Sequence, residues 1–197
     1  MNKPFSKKAK RNVLVSVVLL LLAAIVLTTK KEGIILDTSF DTLHIESSAF
    51  EQNGFMPPKY TGRGEDISPE LTITGISPDA KSIAIIMDDH DVPVVGILNH
   101  WVIWNIPVQN VIPENIPHGA VVDSLGGAVQ GVGYGKHGYR GPKPPSFIKK
   151  AHRYQFQVYV LDCMLEIDSG SGKTELLKNM DGHILQYGSL IGKFMGK

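Results

Sequence analysis

Three aspartates, Asp88, Asp89 and Asp91, close the apolar run "SIAIIMDDHDVP", and His100 opens the next one, "NHWVIWNIP". A second histidine, His152, opens "HRYQFQVYVLD", with Tyr154 on its side of an extended chain and Arg153 on the other. A carboxylate beside an imidazole can fix its tautomer, serve as an acid–base pair or, with a second histidine, bind Zn²⁺. Imidazole and phenol groups also donate hydrogen bonds to phosphate oxygens. The spacing of these residues is not that of a local metal motif, and no serine sits in a G-x-S-x-G context. The sole cysteine, Cys163 in "VYVLDCML", excludes an intrachain disulfide and reads as a small buried hydrophobe. "SGSGKT" at 169–174 ends like a phosphate-binding loop, but Ile167 stands where that motif needs glycine, so it reads as a turn leading into a helix.

The elements that must position these groups are mostly strands. Short runs rich in Ile, Val, Tyr and Phe alternate with Gly/Pro-dense stretches such as "KHGYRGPKPPS". Tyr154, Phe156, Val158 and Val160 share one face by the period of two. Helical character is confined to the C-terminal part: "TELLKNM" predicts a short helix. In "HILQYGSLIGKFMG" the three- and four-residue steps of Ile184, Tyr187, Ile191 and Phe194 predict a terminal helix on the sheet.

Ahead of the domain, residues 13–27, "VLVSVVLLLLAAIVL", carry no charge and follow a basic cluster. As a hydrophobic helix with the next two threonines they would reach roughly 25 Å at ~1.5 Å per residue. The segment 1–29 therefore reads as a membrane anchor, with 30–42 as a tether and 43–197 as the folded domain. No A-x-A-like cleavage site follows, and the Lys/Arg excess places the N-terminus in the cytoplasm and the domain outside a cell membrane. Secretion after signal cleavage is the alternative. Five of the 20 Lys and Arg precede residue 28, so 15 basic side chains remain against 19 acidic ones, which argues against a nucleic-acid partner.

The order of blocks resembles the phosphatidylethanolamine-binding protein family, in its bacterial and archaeal Raf-kinase-inhibitor-like branch. The blocks are "SSAFEQNGFMPPKYTGRGEDISPEL", "DDHDVP", "NHWVIWNIP", "AVQGVGYGKHGYRGPKPP", "HRYQFQVYVLD" and "MDGHILQYGSLIGKF". The resemblance implies a large antiparallel sheet packed with a smaller sheet, plus a C-terminal helix. It also implies a small anion pocket where Asp89, Pro93, His100, Gly141, Pro144, Pro145, His152 and Tyr154 meet. Phosphate, a phosphorylated small molecule or a phospholipid headgroup is the implied ligand, a protein partner is possible, and no cofactor or metal is called for. His90 stands where the family's first loop has proline, and Lys143 where its second has cysteine; Lys143, Lys149 and Lys150 add positive charge near the mouth. Arg153 is expected in an ion pair, Asp66 in a turn, His183 in a structural role, and His44, His118 and His137 outside the pocket. The competing functions are a hydrolase-type enzyme using Asp89, His100 and His152, and an inhibitor of a protease.

Overall fold

The computed structural model describes residues 41–196. The segment 1–29, expected to be an anchor or signal, and the expected tether up to residue 40 lie outside the described residues. The tether's last two residues, Asp41–Thr42, form strand β1. Among the described residues no helix is long and apolar enough to cross a membrane.

After β1 come β2 (His44–Glu46), β3 (Leu71–Thr74), β4 (Ser82–Val92), β5 (Gly96–Ile106), β6 (Val111–Ile112), β7 (Val121–Val122) and β8 (Ala128–Gln130). They are followed by β9 (Val132–Gly133), β10 (Lys136–His137), β11 (His152–Leu161), helix α1 (Lys173–Met180) and β12 (Ile184–Phe194). The large sheet has the order β1-β12-β11-β4-β5-β8-β7, with a smaller sheet β2-β3-β6 and a hairpin β9-β10. The pairings between these strands are antiparallel except the short β1–β12 contact; an isolated bridge, Phe55↔Lys193, is parallel too. The expected large and small sheets are both present.

Period-two alternation puts Ile83, Ile85, Met87, Trp101, Ile103, Phe156, Val158 and Val160 on one face of the central strands. There they form one core with Ile45, Leu71, Ile73 and Ile112 of the small sheet. Each such side chain contributes ~1.5–3 kcal/mol by burial. The other face, with Ala84, Ile86, Trp104 and Tyr159, is buried as well. Helix α1 lies against β5 and contributes buried Leu176 and Met180. Strands covered on both faces need continuous apolar runs, and "SIAIIM" is one.

The C-terminal helix is α1, led by Gly172 as the "SGSGKT" turn predicted. The second expected helix, over "HILQYGSLIGKFMG", is instead strand β12, paired with β11 from His152↔Phe194 onward. The segment satisfied both periods, and Gly188 and Gly192 decide between them. A side chain at Gly188 would meet the Leu43 carbonyl at 2.6 Å, and one at Gly192 would meet Met56 Cγ at 2.5 Å. These glycines let β12 lie close under its neighbours, whereas in a helix each would cost ~1 kcal/mol against alanine.

Candidate anion-binding site

The core face changes chemistry at one end of the large sheet. Along β4 the inward residues run Ile83, Ile85, Met87 and then Asp89; along β11 they run Val160, Val158, Phe156 and then Tyr154 and His152. Tyr154 and Asp89 are cross-strand partners. The polar residues thus continue the apolar face, and all three are buried.

His100 reaches the same place through a β-bulge. Met87 pairs with Trp101 and Asp88 with Asn99, so His100 is the extra residue on β5. A bulge re-aims side chains: here the neighbours Trp101 and His100 serve the core and the pocket on the same face, which regular alternation forbids. Asn99 turns to the other face and bonds Asp88 at 3.1 Å, where Lys173 and Gln157 also hold that carboxylate.

The cavity encloses about 420 Å³. Asp89, Pro93, His100, Gly141, Pro144, Pro145, His152 and Tyr154, the eight expected residues, all line it. Lys143 lines it as well, whereas Lys149 does not; Lys150 pairs with Asp91 instead. Arg140, Tyr134, Leu98, Val92, Phe147 and Ile148 complete the wall without having been anticipated. Tyr134 carried a signal: a tyrosine between two glycines, it sits at φ +48° and stacks on His100 with ring centroids 5.3 Å apart. Arg140 lies over the Tyr134 ring, 4.0 Å from its centroid.

The hydrogen bonds fix both imidazoles. His152 Nδ1 lies 2.7 Å from Asp89 Oδ2, and Asp89 Oδ1 accepts the Asp91 amide at 2.9 Å. A carboxylate acceptor puts the proton on Nδ1, so Asp89 sets the tautomer with both oxygens engaged. His152 Nε2 is buried with no partner among the described residues. His100 repeats the pattern: its Nδ1 donates to the Arg140 carbonyl at 2.7 Å, which leaves Nε2 free for a ligand. Burial pulls the His100 pKa down from its ordinary value, and the Arg140 carbonyl and the charge of Asp89 offset part of that. Burial, reinforced by Asp89, holds the Tyr154 phenol far above its ordinary value, so it remains an O–H group.

A family-wide sequence profile of phosphatidylethanolamine-binding proteins matches residues 46–195. The chain belongs to that family. A UPF0098 protein of Pyrococcus horikoshii is 45% identical over 152 residues, covering 77% of this chain and 76% of that protein. The crystal structure of a putative homologue from Chlamydia trachomatis superposes with a TM-score of 0.69 at 34% identity, covering 79% of this chain and 99% of that one. YbcL of E. coli gives 0.71 at 25% identity over 80% and 100% of the two chains. These relatives confirm the bacterial and archaeal branch.

The chain's departures from the family pattern now have places. The stretch holding His90, read as a loop, is the end of β4, and His90 does not line the cavity. Asp91 accepts from the Arg153 amide and guanidinium and from Lys150, which holds its carboxyl well below the usual range, Arg153 contributing most. That is the ion pair expected for Arg153. Asp66 reaches beyond its own turn: its Oδ1 accepts the Gly141 amide at 2.7 Å, pinning the pocket loop where a side chain at Gly141 would meet the Tyr60 carbonyl at 2.5 Å. His183 bonds Asp162 at 2.8 Å. Cys163, expected to be buried, is half-buried.

Proposed function

We propose that this chain is a binding protein whose pocket takes a phosphate group, on a small molecule or a phospholipid headgroup, with its histidines protonated. The observation that carries this reading is the commitment of both Nδ1–H groups inward. A neutral imidazole has one N–H; here it is spent on Asp89 or on the Arg140 carbonyl. Each Nε2 donates to an anion only as imidazolium. Arg140 and Lys143 add positive charge at the wall. The volume suits a small ligand.

Support for a lipid source comes from the rim. Between β4 and β5 the Val95 amide bonds the Pro93 carbonyl at 2.8 Å, a γ-turn that holds Val94 at φ +70°. This turn form is strained, and a β-branched residue at positive φ is an outlier. Val94 is nonetheless fully exposed, Val95 and Phe147 are mostly exposed, and Pro93 and Phe147 line the mouth. An apolar rim around a headgroup-sized pocket suits the edge of a bilayer, as does tethering through the segment 1–29 on the outer side of a cell membrane.

Calorimetric titration with phosphate and phosphoethanolamine tests the pocket. His100→Ala or His152→Ala should weaken binding roughly tenfold to a hundredfold, the loss of one charge-assisted hydrogen bond, while His44→Ala leaves it unchanged. Equal affinity in all variants would place the site elsewhere. One observation favours a second reading: a buried, unpartnered Nε2 backed by Asp89 is what a general base requires. Turnover of phosphate esters, abolished by His152→Ala, would establish it.

A further inference from the structure

Far from the pocket, the strand that begins with His152 ends beside Asp162 and Cys163, and β12 begins beside His183. We propose that Asp162, Cys163 and His183 form a binding site for a transition-metal dication, with Zn²⁺ as its best fit. One donor atom from each residue, a carboxylate oxygen, the thiol sulfur and an imidazole nitrogen, lies within 4.8 Å of the other two. Among the described residues this is the one such group of three, and Asp89, His100 and His152 do not make another. Ten strand residues at ~3.3 Å each put it about 30 Å from the cavity, so it is independent of anion binding.

Backbone bonds hold the donors in place. The Asp162 amide donates to the His183 carbonyl at 3.1 Å, and Leu161 and Ile184 are register partners. The Cys163 carbonyl accepts from Ser82 Oγ, and Asn105 clamps Leu165 through its amide and carbonyl at 2.8 and 2.9 Å. The His183 amide closes the turn on the Met180 carbonyl at 2.9 Å. The side chains themselves stay reachable, since Asp162 and His183 are each about half exposed and Cys163 is half-buried.

Bond lengths of ~2.0–2.3 Å place donors around tetrahedral zinc ~3.3–3.7 Å apart. The Asp162–His183 contact of 2.8 Å needs to open slightly and the cysteine to close by less than a rotamer change. The ion replaces that hydrogen bond: His183 passes to the tautomer with its proton on Nε2, which frees the Nδ1 lone pair, and the cysteine S–H proton passes to solvent as the thiolate–metal bond forms. A thiolate excludes Mg²⁺ and Ca²⁺, which take oxygen ligands. The fourth position is left for water or another ligand. Bound metal would staple the end of β11 to the start of β12 and shield the chain's one thiol.

The test is Co²⁺ titration of the untagged full chain, followed by displacement with Zn²⁺. One equivalent should give thiolate-to-cobalt charge-transfer absorption together with the visible bands of a tetrahedral ion. Cys163→Ser should abolish the charge-transfer band. His183→Ala and Asp162→Asn should weaken binding by at least about tenfold, the loss that even an outer-shell partner causes, and His44→Ala should change nothing. Zn²⁺ should also slow alkylation of Cys163 by iodoacetamide in the wild type but not in His183→Ala. The absence of a charge-transfer band at stoichiometric cobalt, or equal affinity in His183→Ala, would overturn the site.

Discussion

His100 shows how one side chain's proton inventory becomes a prediction. Its folded pKa is lowered, chiefly by burial, so below the ordinary histidine value the unfolded chain holds the proton more readily. The ligand-free protein should therefore lose stability as pH falls through about 6.5 toward the lower folded value. An anion that accepts from Nε2–H opposes this by favouring the charged ring. Thermal unfolding with and without sulfate, which stays a dianion, should show a larger upward shift at pH 5.5 than at pH 8, and His100→Gln should reduce the difference. A shift independent of pH would remove the imidazolium from the account. His100 was legible as a polar residue on an apolar strand; the bulge that aims it was not. A bulge is a register event between two strands, and one strand's sequence carries only its own half.

At the scale of elements, β4 and β11 declared themselves because their inward residues stay apolar until the pocket begins. Strand β12 did not, because Ile184, Tyr187, Ile191 and Phe194 obey a helical step while Gly188, Leu190, Gly192 and Phe194 obey a strand's. Small residues carry no hydropathy signal, so the tie was broken only by what packs over them: Leu43 and Ile45 at Gly188, Met56 and Phe50 at Gly192. This has an unambiguous sign. Gly188→Ala in a helix would stabilise by ~1 kcal/mol, but against the Leu43 backbone in β12 it should destabilise by ~1–3 kcal/mol through overpacking. Urea denaturation of the two proteins separates the cases. The Asp91 hub offers a companion test. Asp91→Asn removes the charge that Arg153 and Lys150 share, and with both cations largely exposed the loss of stability should stay near ~1 kcal/mol. Because the hub joins β4 to the loop before β11, anion affinity should fall as well.

For the whole molecule, the pocket lies where β4, β5 and β11 of the large sheet meet the loops that carry Pro93, Tyr134 and residues 140–148, and its lining residues span Asp89 to Tyr154 in sequence. The block order made the convergence legible, through resemblance; the direction in which each imidazole presents its proton required the structure. That direction is the central claim: the site is an anion pocket that fills only as it takes up protons. The measurement that reaches it most directly is calorimetry of sulfate binding to the full chain at pH 7, repeated in buffers of differing ionisation enthalpy. The apparent enthalpy should vary with the buffer's own and give an uptake of about one proton per sulfate bound, the one that the buried His100 ring takes up. That uptake should fall in His100→Gln, and sulfate affinity should fall in both His100→Gln and His152→Gln. Sulfate binding at pH 7 with no proton uptake, at an affinity both variants retain, would contradict the claim.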